Sequence, residues 1–334
     1  MSKAMETPSL APAIALNPIT VEVIGSAFAS TVEEMGEALV RASYSTNIKE
    51  RRDCSTALFD AKGSMLCQAE HIPMHLGSFI GFVPYLLEHF GLENIHEGDV
   101  FIGNDAYEGG GTHLPDIVLA EPIFQDGALI AFAINTAHHS DFADRGHAHI
   151  YQEGLRIPPM KLMREGVFDE TIMRIMTTNV RKPDLNVGDI KALIGALNTG
   201  ERKILAMIEK FGKDAFLEGV ELLVDHAEAQ ARDVLRAMPD GSWEFADYAD
   251  EDSVEANPCR LKLKLTISGD EAILDFTGSD PQLASSLNVP SGGDPRPVGA
   301  SGKAAVAISR RDICWDNASA PRRREISPSA GFSD

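Results

Sequence analysis

Two short blocks hold the residues best suited to chemistry in this sequence. The first runs from Gly109 to Asp116 and includes His113, and the second runs from His138 to Asp141. Two imidazoles and one carboxylate with open coordination positions suit a divalent metal such as Mn, Fe or Zn. A bound metal lowers the pKa of its water and polarises a carbonyl. The alternative is that these histidines only form hydrogen bonds with a neighbouring Asp.

The segment between the blocks predicts a hairpin that would bring them together. Apolar residues at Ile117–Phe124 and Ala128–Asn135 indicate two strands, and Gln125-Asp126-Gly127 between them is typical of a tight turn. The two strands would therefore pair as antiparallel neighbours.

The register of this hairpin predicts which residues meet at its open end. With Asp126-Gly127 as a two-residue turn, His138 would lie opposite Pro115, one place from Asp116. Because Pro115 disfavours helix for the residue before it, His113 and Asp116 would need a turn to converge. We therefore expect His113, Asp116 and His138 to be the metal ligands.

Four further residues are candidates for supporting roles. His71 and His75 have the i,i+4 spacing of a helical pair, but Pro73 between them spoils a regular helix. We assign both histidines as candidate substrate-binding residues, with direct metal ligation or a packed loop as alternatives. Asp105 and Asp141 are the acid–base candidates, and Asp141 could instead orient a ligand histidine.

Several other polar groups are predicted to be structural. The glycine run Gly109–Gly111 could cradle a phosphate, but a tight turn is the simpler interpretation. The GxxxxGK[ST] pattern of a nucleotide-binding loop is absent from the sequence. Cys54 and Cys67 lie in or beside predicted strands, which favours buried thiols over nucleophiles. His139 would point to the strand face opposite His138.

Composition excludes several functional classes. The 334 residues include 50 Asp and Glu against 30 Lys and Arg, a formal charge of −20, and this acidity disfavours nucleic acid as a partner. No apolar run approaches the ~18 residues of a membrane span, so we expect no membrane association. The four cysteines are widely spaced and the first 16 residues do not resemble a signal peptide, which predicts a reducing, cytoplasmic setting.

Hydrophobic periodicity predicts a mixed α and β fold of the α+β type. Asn17-Pro18 should begin a helix with one apolar stripe that runs to about Ser43. A hairpin follows at 56–59 and 64–68, then a helix at 79–90 and the strands that carry the site. Residues 168–180, 187–197 and 199–238 read as helical, with a break near Gly212, and strands return from 243 to 279. One face of the alternating segment 261–267 should be buried and the other wet.

These patterns divide the chain into four regions. Residues 1–16 are expected to be flexible, 17–240 to form the main α/β domain with the metal site, and 241–296 to form a β-rich section. The tail from 297 to 334 holds six basic and four acidic residues, whereas the preceding 296 residues hold 24 and 46. With no amphipathic period in it, this tail is expected to be disordered.

An ordered set of motifs resembles the hydantoinase B/oxoprolinase family. That family includes the B subunit of N-methylhydantoinases, the C-terminal half of 5-oxoprolinase and the alpha subunit of acetone carboxylase. The matching stretches are Glu50–Ser55, Ala57–Asp60, His71–Gly77, Gly98–Phe101, Asn104-Asp105, Gly109–Asp116, Ala137–Asp141, Gly188–Ile190 and Asp275–Ser279. The similarity covers about residues 17–296.

The resemblance implies a role within a larger complex. In the acetone carboxylase branch a metal is held by two His and one Asp, which by motif are His113, Asp116 and His138. An A-type partner that uses ATP would phosphorylate the substrate, and the B-type chain would complete ring opening of a cyclic amide. The alternatives are an alpha-type subunit of an ATP-dependent acetone or ketone carboxylase, or a truncated, non-catalytic assembly partner.

The resemblance also implies that the fold is incomplete relative to the family. Members are usually much longer, and the likeness fades at Pro295-Arg296, where the charge balance changes. One hypothesis is that the tail arises from a frameshift and that the native C-terminal half is lost. Sequencing of the locus tests it, because an intact upstream frame with no shifted, family-like continuation contradicts it.

Overall fold

The computed structural model describes residues 16–69, 71–72, 75, 78, 80–109, 111, 113–140, 150–250, 258–281, 283, 303–308 and 313–315. Within them the chain forms α-helices and two antiparallel sheets, so the mixed α/β class is confirmed. The helices are α1 (Pro18–Ala42), α2 (Thr46–Lys49), α3 (Phe82–Phe90), α4 (Glu170–Thr178), α5 (Pro183–Phe211) and α6 (Lys213–Ala237). In this part of the chain, none of the helices combines the length and apolar character that a bilayer crossing requires.

Seven strands form the first sheet. They are β1 (Cys54–Asp60), β2 (Met65–Gln68), β3 (Val100–Gly103), β4 (Asp116–Gln125), β5 (Ala128–His138), β6 (Met160–Arg164) and β7 (Val167–Phe168). Their spatial order is β2-β1-β5-β4-β3-β6-β7, so the predicted hairpin β4–β5 lies in the middle of the sheet. The β1–β2 hairpin expected from the turn at residues 60–63 is also present.

Two apolar layers cover the first sheet. The larger layer holds the buried stripe of α1, which includes Ile24, Phe28 and Met35, together with α5 and one face of the strands. The start of α1 matches the sequence, because the Asn17 side chain accepts a hydrogen bond from the N–H of Ile19. The second layer contains Phe59, Phe82, Phe101 and Phe132. Both faces of β4 and β5 are therefore buried over most of their length, which holds the hairpin rigidly.

The long helix α5 differs from the sequence expectation. The sequence predicts separate helices at 187–197 and from 199, but α5 runs unbroken from Pro183 to Phe211, and the break falls only at Gly212. Gly200 does not interrupt the helix. A Cβ there would lie 2.7 Å from Sδ of Met35 and 3.1 Å from Cβ of Ala133, so glycine is needed for close packing of α5 on α1 and the sheet.

The second sheet contains the strands β8 (Gly241–Ala249), β9 (Cys259–Ser268), β10 (Glu271–Asp275), β11 (Lys303–Ile308) and β12 (Ile313–Trp315), in the order β12-β11-β10-β9-β8. Disorder was expected throughout 297–334, and the structure instead places 303–308 and 313–315 in strands, because β11 pairs with the free edge of β10. The rest of that tail and the flexible region predicted at the N-terminus, apart from residue 16, lie outside the described residues.

The apolar face of the second sheet is only partly covered. Ile267 at one end of β9 is 4% exposed, but Leu261 at the other end is 59% exposed and Phe245 on β8 is 71% exposed. The expectation that this whole face is buried is therefore wrong, because among the described residues no layer packs over its far end.

Candidate metal centre

The hairpin β4–β5 positions two of the three predicted ligands. Its turn is Asp126-Gly127, both with positive φ, as a tight two-residue hairpin turn requires. Phe124 pairs with Leu129, but Ile123 pairs with Ala131, so β5 carries one extra residue between those pairs.

This bulge corrects the predicted register by one residue. His138 lies directly opposite Asp116 instead of opposite Pro115. Paired residues in an antiparallel sheet project to the same face, so the side chains of His138 and Asp116 meet on one side. The bulge therefore brings the two candidate ligands closer together than a regular hairpin would.

The third candidate ligand reaches the same point through a tight turn. The N–H of Asp116 donates to the carbonyl of His113 at 3.0 Å. This hydrogen bond confirms the turn between the two residues that Pro115 led us to predict. The N–H of His139 donates to the carbonyl of Pro115 at 2.8 Å and ties this turn to the end of β5.

Three donor atoms converge at the end of the hairpin. Nε2 of His113 lies 3.1 Å from Nδ1 of His138 and 3.2 Å from Oδ1 of Asp116, and Nδ1 of His138 is also 3.2 Å from that oxygen. Metal–ligand bonds of about 2.0–2.2 Å place neighbouring ligand atoms roughly 3.0–3.5 Å apart. The separations and the donor chemistry therefore fit one divalent cation held by His113, Asp116 and His138.

The exposure of the three candidate ligands leaves one side of the cluster open. The side chain of Asp116 is 3% exposed, whereas those of His113 and His138 are 35% and 28% exposed. A cation here would be anchored from the protein side by the carboxylate and could meet water or a small molecule from the solvent side. Open positions of this kind distinguish catalytic metal sites from closed structural ones.

Opposite charges stabilise the cluster without a cation. Burial would raise the pKa of Asp116, but hydrogen bonds with His113, His138 and His75 hold that pKa well below its usual value. Burial would lower the pKa of His113, yet hydrogen bonds with Asp116 and Glu153 raise it to about 10. The pocket therefore favours positive charge, and a cation would have to displace a proton from His113.

Glu153 supports His113 and was not found from the sequence. Its Oε1 lies 3.1 Å from Nδ1 of His113, and its Oε2 accepts the N–H of Leu114 at 3.1 Å. The residue follows a short 3-10 turn at Ile150–Gln152 and is 40 positions from His113. No motif or periodicity marks it, so spacing alone gave no signal.

His75 lies behind Asp116. Its Nε2 is 3.5 Å from Oδ2 of Asp116 and 3.7 Å from Oδ1 of Asp53, and its Nδ1 is 3.1 Å from Oγ of Ser55. His75 is 1% exposed, and these polar contacts link it to the candidate ligand Asp116 and to Asp53 and Ser55. The assignment of His75 as a substrate-binding residue stays a prediction.

His139 faces the opposite layer, as strand alternation predicted. It is 1% exposed, and burial lowers its pKa to about 4, against the opposing charge of Asp189 on α5. A neutral imidazole thus lies between the end of β5 and the helix layer behind it.

Comparison with known proteins identifies the family. The Hydantoinase B/oxoprolinase family model matches residues 17–299. The chain belongs to the hydantoinase B/oxoprolinase family. Within this family, 5-oxoprolinase 1 of Arabidopsis thaliana is 33% identical over 310 residues, which cover 81% of this chain and 24% of that protein.

Two solved structures share the fold. The ATP-dependent caprolactamase from Pseudomonas jessenii matches with a TM-score of 0.77 and 33% identity, over 83% of this chain and 49% of that chain. The nucleotide-free structure of acetone carboxylase matches with a TM-score of 0.75 and 19% identity, over 81% and 38%, and this likeness shows the fold alone. The chain spans about half the length of the first curated relatives it matches.

Two further candidate residues, His71 and Asp105, make contacts within the protein. His71 packs against Gly36 of α1, and burial lowers its pKa. The carboxylate of Asp105 is buried, pairs with Nη2 of Arg156 at 2.8 Å and accepts the N–H of Tyr107 at 3.0 Å. Their predicted substrate-binding and acid–base roles stay predictions.

The remaining residues predicted from the sequence are Asp141 and the cysteines Cys54 and Cys67. Asp141, the other acid–base candidate, lies outside the described residues. Cys54 is buried, and burial raises the pKa of its thiol to about 12, as expected of a packed thiol. Cys67 is half-buried, and burial raises the pKa of its thiol as well.

Proposed function

We propose that this chain is the B-type subunit of an ATP-dependent cyclic amide hydrolase of the hydantoinase/5-oxoprolinase type. It would assist, with a bound divalent metal, the ring opening of a substrate that an A-type partner has phosphorylated. The observation that carries the proposal is the convergence of His113, Asp116 and His138 within 3.2 Å in a chain of this family.

The relatives support the substrate class. They include a 5-oxoprolinase and a caprolactamase subunit beta, and the latter is 32% identical over 281 residues. Oxoproline and caprolactam are both cyclic amides. Because the caprolactamase chain is named as a subunit, and because the solved caprolactamase is ATP-dependent, a partner chain and a need for ATP are supported as well. The absence of a phosphate-binding loop pattern from this sequence agrees with nucleotide being handled by the partner.

The three ligand residues would hold the metal, and the metal, when bound, would polarise a substrate oxygen and acidify a water. Asp116 supplies the buried negative charge that anchors it, while the partly exposed histidines leave room for a small molecule. Asp105 and Asp141 are kept as acid–base candidates. We also propose a cytoplasmic location, because the free thiols of Cys54 and Cys67 suit a reducing compartment.

Metal analysis and turnover together test the proposal. The purified chain, alone and with an A-type chain, is analysed for bound metal and assayed with ATP on hydantoin, 5-oxoproline and caprolactam. We expect about one metal per chain and ATP-dependent ring opening that needs both chains. His113→Ala should abolish both, whereas His226→Ala, which changes an exposed histidine on α6, should preserve both.

The other outcomes separate the alternatives. Consumption of acetone with bicarbonate, without hydrolysis of any cyclic amide, would favour the carboxylase subunit. A wild-type chain that lacks metal but binds the A-type chain would overturn the metal mechanism and favour a non-catalytic assembly role.

A further inference from the structure

Glu153 divides its carboxylate between two donors on the loop that carries His113. Oε1 lies 3.1 Å from Nδ1 of His113, and Oε2 accepts the N–H of Leu114 at 3.1 Å. Glu153 is 8% exposed, and its hydrogen bond with Leu114 is buried. We propose that Glu153 is a positioning residue, which holds His113 with Nε2 free to bind the cation. This inference rests on the proposed metal function.

Binding of a cation through Nε2 requires one particular tautomer of His113. A neutral imidazole carries one N–H, so a lone pair on Nε2 requires the hydrogen to be on Nδ1. Nε2 is the atom that faces Asp116 and His138, and Nδ1 is the atom that faces Glu153. An acceptor at Nδ1 therefore selects the tautomer that can bind a metal, as carboxylates do behind many metal-bound histidines.

Glu153 also restricts the orientation of the His113 ring. A single hydrogen bond would leave the carboxylate free to rotate, but the backbone N–H of Leu114 fixes its other oxygen. Leu114 is completely buried and adjoins His113 in the chain. Glu153 thus fixes the position of His113 relative to the backbone of the same turn, which limits rotation of the ring away from Asp116.

An acid at position 153 suits these contacts better than an amide would. The Glu153 carboxylate contacts the N–H of Leu114 and Nδ1 of His113, and its two oxygens can accept a hydrogen bond from each of them. Glutamine offers one acceptor and one donor. In one orientation it would leave the Leu114 N–H facing an NH₂ group, and in the other it would donate to Nδ1 and place the His113 hydrogen on Nε2. Either result weakens cation binding.

The test compares two amide variants of the full chain. Glu153→Gln removes the second acceptor, and Glu209→Gln makes the same change at an exposed position on α5. Zn²⁺ affinity is measured at fixed pH by competition with a chelating dye. We expect Glu153→Gln to bind Zn²⁺ roughly 10–100-fold more weakly than wild type, and Glu209→Gln to match wild type.

A spectroscopic signature separates positioning from a general loss of structure. In the Zn²⁺-loaded wild type, ¹⁵N shifts of His113 should show a hydrogen on Nδ1 and the metal on Nε2, and Glu153→Gln should lose this pattern. Thermal melts of the metal-free proteins monitor folding. If Glu153→Gln does not fold, Glu153→Asp is used, since it keeps the charge but is one methylene too short to reach both donors.

The outcomes distinguish this inference from the proposed function. A wild type that binds Zn²⁺ while folded Glu153→Gln binds it equally well would overturn the role of Glu153 and leave the metal centre intact. A wild type that binds neither Zn²⁺ nor Mn²⁺ would overturn the metal centre itself.

Discussion

A buried carboxyl far from the metal ligands offers a quantitative test of the fold. Glu121 lies on β4 within the layer between the first sheet and α5, and it is 6% exposed. Among the described residues, its Oε2 has no hydrogen-bond partner. Burial, with a further contribution from the charge of Glu201 on α5, raises the pKa of Glu121 from 4.5 to about 8.

The sign of the effect on stability follows from this raised pKa. Between pH 4.5 and about 8, the unfolded chain has lost the Glu121 proton and the folded chain keeps it, so stability falls as pH rises. At about 1.36 kcal/mol per pH unit, the full loss is about 5 kcal/mol, of which about 3 kcal/mol is reached at pH 7. Above pH 8 both states are ionised and the loss stops growing.

Glu121→Gln should remove this pH dependence, because the amide resembles the protonated acid and does not ionise. We expect the variant to match wild type at pH 4.5 and to exceed it by about 5 kcal/mol at pH 9. Urea unfolding at several pH values, with a chelator present, gives the free energies of unfolding. The control is Glu22→Gln, which changes an exposed residue of α1. An equal difference between Glu121→Gln and wild type at pH 5 and pH 9 would refute the reasoning.

Three further predictions concern stability. Lys161→Met should lower the free energy of unfolding, measured in urea, by about 3 kcal/mol, because it leaves the fully buried Asp99 without the ammonium that lies 2.7 Å away. A loss below about 0.5 kcal/mol would contradict this. Thr56→Val should cost about 1 kcal/mol, because it deletes a buried hydrogen bond of 2.6 Å to the carbonyl of Val32 on α1; a melt unchanged from wild type would count against it. Zn²⁺ at about 100 times its dissociation constant should stabilise wild type by about 2.7 kcal/mol and His113→Ala by nearly nothing, as scanning calorimetry would show; equal stabilisation of both would place the cation elsewhere.

The sequence carried enough information to predict the cluster of His113, Asp116 and His138 because its parts are local. A hairpin turn, two apolar strands and a proline-directed turn are each readable over a few residues. Together they bring His113, Asp116 and His138 to one end of the sheet. The register was wrong by one residue, since Leu129-Ile130-Ala131 is a continuous apolar run with nothing that marks a bulge.

Contacts between distant segments could not be predicted in the same way. Glu153 reaches His113 only because segments 40 residues apart along the chain frame one site. The close approach of Gly200 to Met35 becomes evident only when α1 and α5 are packed together. The pairing of β11 with β10 likewise depends on an exposed edge that composition does not show.

The extra residue in β5 determines whether the side chains of Asp116 and His138 project to the same face of the sheet. Ile130 is 3% exposed and lies in the apolar layer beneath α1 and α5, eight positions before His138. Without it, His138 and Asp116 would project from opposite surfaces of the sheet although every ligand residue was retained. A natural variant could therefore keep the complete His-Asp-His signature and still lose the geometry that fits a cation through a one-residue deletion in the hairpin. The length of this hairpin is as much a part of the signature as the ligand residues themselves.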